Sequence, residues 1–195
     1  MGTYIKTLQK FDKSLKIKKK GPTVTIAGLS GSGKSTVAEA IAKELKLKIV
    51  SAGDIIRQMA KERKMKLEEF AKVVGPEADY ELDRRSIKLA KEGNIVLVGR
   101  LAAYAAGDYA DLKIFVDCPI EIRAQRVAKR ENKSTAKAKN DIIKRDTRDA
   151  KRYWKIYHID DADKRIYDVI INNGYLGKKE IEALSAGIAR FLIRR

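Results

Sequence analysis

One eight-residue string constrains this chain more than any other: Gly28-Leu29-Ser30-Gly31-Ser32-Gly33-Lys34-Ser35. It fits the spacing G-x-x-x-x-G-K-[ST] at every fixed position. Its flanks matter as much as its letters. Before it runs Thr23-Val24-Thr25-Ile26-Ala27, a β-branched stretch that reads as a buried strand. After it, Val37, Ala38, Ile41, Ala42 and Leu45 recur at the period of a helix packed on a sheet. The glycines let the backbone turn tightly, so that successive N–H groups converge on one anion, and the helix N-terminus adds its dipole. Such a cradle holds the phosphates of a nucleoside triphosphate such as ATP. Lys34 reaches the β- and γ-phosphates, and the Ser35 hydroxyl ligates Mg²⁺. The candidate triphosphate contacts are Gly28, Leu29, Ser30, Gly31, Ser32, Gly33, Lys34, Ser35 and Thr36.

Further strands read at 48–51, 94–99, 112–117 and 167–172. Helical patterns fill 34–46, 53–90 with a break near Val74-Gly75-Pro76, 119–157 and 178–194. Near-continuous apolar strands separated by helices predict an α/β fold, a three-layer sandwich around a five-stranded parallel sheet. The length of 195 residues suits one domain. Residues 1–20 look like an appendage to a domain over 21–195. Tyr4, Ile5, Leu8, Phe11, Leu15 and Ile17 fit one apolar stripe of a short helix, and the segment reads as a docking helix, a partner-binding arm or a partly disordered, flexible extension.

The net charge of +17 is unevenly spread. Residues 1–20 hold seven lysines and one acid, and residues 121–157 hold thirteen Lys/Arg and five acids. One reading is nucleic-acid binding, with the tail giving charge rather than sequence specificity; the other is positive charge placed where phosphates bind. Cys118 is the only cysteine, so no internal disulfide forms and a cytoplasmic, reducing home is expected. It follows the apolar run Ile114-Phe115-Val116, which makes it a buried structural thiol. No apolar run is long enough to span a membrane, no secretory leader is expected, and a monomer is expected.

A GTPase would carry N-K-x-D, but Asn132-Lys133-Ser134-Thr135 lacks the aspartate. A motor ATPase would end an apolar strand in Asp-Glu, whereas the third strand here ends in Gly99-Arg100. Small kinases fit best. Phosphoryl transfer needs charge neutralised and reactants held in line, and arginine forks suit that task. Arg123, Arg126 and Arg130 share one helical face, and Arg145, Arg148, Asp149 and Arg152 share another. They read as a mobile lid over the phosphates, or as a solvated basic helix laced with i,i+4 pairs such as Arg145–Asp149.

Beyond the loop, several strings resemble those of nucleoside monophosphate kinases, and more narrowly of archaeal-type cytidylate kinases. They are Lys48-Ile49-Val50-Ser51-Ala52-Gly53-Asp54-Ile55-Ile56-Arg57, Asp83-Arg84-Arg85, Val98-Gly99-Arg100-Leu101-Ala102, Arg145-Asp146-Thr147-Arg148-Asp149-Ala150-Lys151-Arg152-Tyr153, Lys155-Ile156-Tyr157 and Tyr167-Asp168-Val169-Ile170-Ile171-Asn172. The resemblance covers residues 23–194. It implies a Mg·ATP donor and CMP or dCMP as acceptor, giving CDP or dCDP. It also implies acceptor-binding helices inserted at 53–92 and a lid region at 119–163. Arg57, Arg100 and Arg152 are implied to hold the acceptor phosphate, with Ser51 and Gly99 beside them and Asp149 on the ribose hydroxyls. Lys34, Arg126, Arg130, Arg145 and Arg148 are implied to act on the transferred phosphoryl group. Two features depart from the pattern: many archaeal members have threonine where Lys34 stands, and the basic tail lies outside it.

Base choice is less constrained. Cytosine offers N4 donors beside N3 and O2 acceptors, so its site wants a carboxylate next to an arginine or amide. Asp83 with Arg84 supplies both, or is a surface pair; Asp79 and Glu81 are further candidates. Asp54 caps the helix after the second strand or reaches the Mg²⁺ shell through water. His158, the only histidine, has no task in this chemistry and reads as a surface residue, while Tyr153, Trp154 and Tyr157 read as core. Competing functions are another small P-loop kinase (adenylate, uridylate or small-metabolite), a nucleic-acid-associated P-loop ATPase, and an assembly factor with secondary kinase activity.

Overall fold

A computed structural model describes residues 16–73 and 76–193. The apolar stripe expected from Tyr4 to Leu15 lies outside those residues. Five strands, β1 (Thr23–Ala27), β2 (Lys48–Ser51), β3 (Ile95–Val98), β4 (Leu112–Asp117) and β5 (Val169–Asn172), form one sheet in the order β2-β3-β1-β4-β5. Every pairing is parallel, with Val24 opposite Val96 on one side and Leu112 on the other.

Strand alternation decides which side chains serve which layer. Val24 and Ile26 point to one face of β1 and pack with Val37 and Ile41 of α1 (Lys34–Leu45) and Ile181 of α8 (Lys178–Ile193). Opposite them, Ala27 packs with Phe115 of β4, Tyr167 and Ala103, the last on α5 (Ala102–Ala106). Ile95 and Leu97 of β3 meet Ala90 on α4 (Pro76–Glu92). Helices therefore cover both faces, as a buried parallel sheet requires, and the expected three-layer α/β sandwich is what forms.

Two helical regions stand off this core, each with its own apolar cluster. On the β2 side, α2 (Ala52–Glu62), α3 (Leu67–Val73) and α4 gather Ile55, Met59, Ala60, Phe70 and Ala78. On the other side, α6 (Ile120–Glu131) and α7 (Thr135–Tyr157) close a hairpin on Ala124, Val127, Ala128, Ala138 and Ile142. The helical stretch expected over 53–90 with a break near 74–76 is thus three helices, with one break more than expected. Its first break falls at Arg63–Lys66, where Lys64 takes a left-handed φ of 55° that no glycine signalled. Among the described residues, no helix is long and apolar enough to cross a membrane.

Candidate active site

The loop after β1 is shaped by contacts beneath it. Gly28 has φ 142°, and a Cβ there would collide with the Val116 carbonyl oxygen of β4. Gly33 has φ 96°, and a Cβ there would strike the Asn173 amide. Asn173 is buried, and its Nδ2 donates to the Ser32 carbonyl at 2.8 Å. From α6, Arg126 donates to Ser32 O at 3.3 Å and to Asn173 O at 2.8 Å. Arg123 donates to Ser30 O at 3.2 Å and, through Nε, to Cys118 O at 3.2 Å. Carbonyls turned inward by a tight loop need donors, and these side chains supply them. Arg126 is therefore not where the lid reading put it: it braces the loop from below rather than facing the transferred group. Cys118 is buried against Arg126, and burial pushes its thiol pKa up, which leaves it inert.

Of the nine candidate triphosphate contacts, the side chains or backbone of Ser30, Lys34 and Ser35 line the cleft. Gly28, Leu29, Gly31, Gly33 and Thr36 are not among the residues that line it, and Ser32 is wholly buried. The Lys34 ammonium donates to Leu29 O at 2.8 Å. Burial first, then the positive charge of Arg100 and Arg145, lowers its pKa to about 8. Ser35 is exposed and presents a hard oxygen donor beside it. Among the described residues, no group of three or more His, Cys, Asp or Glu is placed to hold a metal by itself. The donor set therefore fits a cation that arrives with the triphosphate and takes most of its ligands from phosphate and water, as Mg²⁺ does.

From Ser30 and Ser35 the cleft runs, over about 710 Å³, past Gly99 and Arg100 to Asp79, Leu82, Asp83 and Ser86 on α4. Asp79 and Asp83 are four residues apart on one face, and both are buried. Arg152 grips Asp79 with two nitrogens, the Nε bond being 2.9 Å, and the Tyr157 hydroxyl donates to Asp83 Oδ2 at 2.7 Å. Both contacts join α7 to α4. Arg84 is not part of this surface. Its guanidinium sits 3.1 Å from Glu81, outside the cleft lining, so the expected Asp83–Arg84 pair does not form. Adjacent helical residues diverge by about 100°, and the neighbour Asp83 does share a face with is Asp79.

Ser51, not Asp54, is the N-cap of α2. Its hydroxyl accepts from Asp54 N–H, and the Asp54 carboxylate accepts from Ser51 N–H at 2.9 Å, a reciprocal capping box. The Ser51 side chain, and then Arg57, hold the Asp54 carboxyl down at about 2. Arg57 is exposed, 2.5 Å from Asp54, and does not line the cleft.

Arg100 lies at the centre. Its side chain is 9% exposed, with Nη2 at 2.5 Å from Asp146 and 3.5 Å from Asp149, and Nη1 at 3.7 Å from Asp161. Arg100 Nη1 has no hydrogen-bond partner, a buried donor open to an incoming acceptor atom. Asp146 also accepts from Arg123 at 2.8 Å. Asp149, buried, attracts Arg148 at 3.2 Å and Arg145 at 3.7 Å. Arg130, Arg145 and Arg148 line the cleft with side chains 62%, 58% and 72% exposed, so these forks sit at the rim, Arg130 paired with Glu131 at 2.5 Å, while Arg123 and Arg100 are buried.

The aromatics of α7 divide. Tyr157 is buried and Tyr153 lines the cleft, its phenol pushed up to about 12 by burial. Trp154 is 60% exposed and packs edge-on to His158, which caps the helix end in a left-handed turn at the surface, so Trp154 is no core residue. The sequence reading missed Asn173, Asp146 and the role of Tyr157. Only Asp146 carried a local signal, standing two residues before Arg148 and three before Asp149 in the lid string.

A family model described as cytidylate kinase-like matches residues 23–79 and 77–175. Over 151 residues the chain is 52% identical to a cytidylate kinase of Pyrococcus horikoshii, covering 76% of this chain and 78% of that one. Over 183 residues it is 42% identical to a cytidylate kinase of Methanopyrus kandleri, covering 88% and 95%. Among solved structures, a shikimate kinase from Bacteroides thetaiotaomicron matches with a TM-score of 0.58 at 15% identity, over 89% of this chain and 99% of that chain, a likeness of fold.

Proposed function

The chain belongs to the cytidylate kinase-like family, and from that premise we infer that it is a nucleoside monophosphate kinase that passes the γ-phosphoryl group of ATP to CMP, yielding CDP and ADP. The single observation that carries this reading is the continuity of the cleft from Lys34 and Ser35 to the carboxylates of α4. Donor and acceptor would share one continuous cleft with Arg100 between them, which in-line transfer requires.

In this reading the loop and Lys34 bind the triphosphate, and Ser35 is the protein ligand to Mg²⁺. When bound with the nucleotide, that ion neutralises charge on the β- and γ-oxygens. Arg100 offers its unpartnered Nη1 to the acceptor phosphate. Arg130, Arg145 and Arg148 close from the rim onto the moving group, and Asp149 orients the last two. Arg152 reaches the acceptor while held by Asp79. The pair Asp79–Arg152, with Asp83 beside it, meets the demand of a cytosine edge for a carboxylate next to an arginine. Uracil would set a carbonyl oxygen against two buried carboxylates. Asp149, which lines the cleft, remains the residue assigned to the ribose hydroxyls, and dCMP belongs to the same proposal.

The test is ADP release from Mg·ATP with CMP, dCMP, UMP, AMP and GMP offered in turn. Turnover with CMP and dCMP at least tenfold above the others is expected. Equal or faster turnover with AMP or UMP would overturn the base assignment while leaving the phosphate roles standing.

A further inference from the structure

Two buried arginines serve opposite ends of the cleft. Arg123 holds the phosphate loop through Ser30 O, and Arg100 stands at the acceptor end. They belong to different elements, α6 and the turn after β3. Their one shared partner is the carboxylate of Asp146 on α7, with Oδ2 on Arg123 at 2.8 Å and Oδ1 on Arg100 at 2.5 Å. Each carboxylate oxygen thus reports to one substrate site.

We propose that Asp146 is a positioning residue that couples the two nucleotide sites, so that filling the triphosphate loop sets Arg100 for the acceptor and filling the acceptor site sets the loop. The inference rests on the kinase reading above and adds a residue to which that reading gives no role.

Three features support it. First, the bridge is fully charged and only slightly exposed. The side chains of Arg123, Arg100 and Asp146 are 7%, 9% and 19% exposed, so little water stands by to replace a broken bond. A shift of either fork by an ångström must therefore be followed by the carboxylate or lose a charged hydrogen bond. Second, both arginines keep other partners if Asp146 is cut out. Arg123 retains Cys118 O and Ser30 O, and Arg100 retains Asp149 and Asp161. Arg100 would lose its short hydrogen bond and keep ion pairs at 3.5 Å and 3.7 Å, so Asp146 adds the link together with part of the anchoring of Arg100. Third, Asp146 sits one residue after Arg145 and two before Arg148, both at the rim of the cleft. The bridge is therefore built into the helix that carries the lid forks, and moving that helix moves the link. Coupling of this kind is a free energy between sites and must be reciprocal.

The test is calorimetric titration of the full chain with CMP, without and with saturating AMP-PNP and Mg²⁺, and the converse titration. In the parent chain each ligand should tighten the other by the same factor, at least about fivefold. In Asp146→Asn, which keeps shape but loses the charge and one acceptor, that factor should fall below about twofold, with each ligand alone binding within about threefold of the parent. A merely structural role would weaken both ligands alike and leave the factor unchanged, and that result overturns the proposal. If D146N does not fold, Arg123→Lys attacks the same bridge from its other end, and an unchanged coupling factor there overturns the proposal too. Parent chain that binds CMP but shows no coupling overturns this inference alone. Parent chain that binds AMP-PNP but not CMP overturns the acceptor reading and the coupling with it.

Discussion

The phosphate loop and the helices that face it across the cleft are held in place by different forces. Beneath the loop, buried groups do the holding: Asn173 and Arg126 on Ser32 O, Arg123 on Ser30 O, and strand β4 pressed against Gly28. The Asn173 bond is buried and the two arginine bonds are partly so, and a buried bond is hard to replace. The acceptor helices α2, α3 and α4 instead pack on their own cluster, joined to the sheet through Val50 and Leu89. Their outer side is tied by Arg85, which pairs with Glu62 at 2.6 Å and Glu81 at 2.8 Å, and by Arg63 lying over Phe70. Exposed pairs of this kind contribute little and are screened by salt. On the proposed reading, closure over an acceptor would cost least on the side of α2, α3 and α4, whose outer ties are exposed.

The largest effect should come from Asp83, one of the buried polar side chains of α4. Asp83→Asn keeps the side chain's shape and an oxygen for Tyr157, but it can present an amide donor where cytosine needs an acceptor. KM for CMP should rise about 100-fold while KM for ATP stays within twofold, and the CMP over UMP preference should shrink. Unchanged CMP kinetics would remove α4 from base reading. On the donor side, Asn173→Ala leaves Ser32 O with one donor in place of two. The unfolding free energy should drop by about 2 kcal/mol in a urea titration, equivalent to roughly thirtyfold in the folding equilibrium. A loss under about 0.5 kcal/mol would mean that Arg126 alone can brace the loop.

A third prediction uses pH to separate the two sides. Lys34 is held near 8 by burial and by Arg100 and Arg145. Its ammonium binds phosphate only when protonated, so activity is present below that pKa and lost above it. With acceptor saturating, kcat/KM for ATP, which reports groups of the enzyme form that meets ATP, should fall about tenfold per unit once pH passes about 8. KM for CMP should not follow that curve. A flat ATP profile to pH 10 would mean that Lys34 keeps its proton in the cleft.

Much of the fold could be read because its signals are local. The loop string, the alternating β1, and β4 at Leu112–Asp117 each declare themselves within a few residues. Boundaries failed where tertiary contacts decide. Tyr167 carries a strand-like pattern, but its ring stacks on Phe115 at 5.0 Å and its N–H bonds to Lys164 O, so β5 begins only at Val169. The candidate site divides the same way. Lys34, Ser35 and the rim arginines follow from spacing. Asn173 meets Ser32 across 141 residues, and Tyr157 meets Asp83 across 74, distances over which no local pattern speaks. The choice between Arg126 as lid and as brace turns on which face of α6 meets the loop, and only packing settles that.

The smallest effect tests the weak side of the comparison. Arg85 joins α2 to α4 through two carboxylates, and those neighbours hold its pKa above the usual arginine value. Its side chain is 28% exposed, and its partner Glu62 is 45% exposed. Water and salt therefore replace most of what the pairs supply, and the gain in order costs side-chain entropy. Arg85→Met keeps the aliphatic stem that covers the helix surface. It should leave the thermal midpoint within about 2 °C of the parent and change KM for CMP less than about twofold, in either direction. Salt should narrow what gap there is, since 0.5 M NaCl weakens the parent's pairs and leaves the variant untouched. A tenfold rise in KM for CMP would show that the acceptor helices depend on this surface clasp, and that their adjustment to substrate is as tightly set as the loop.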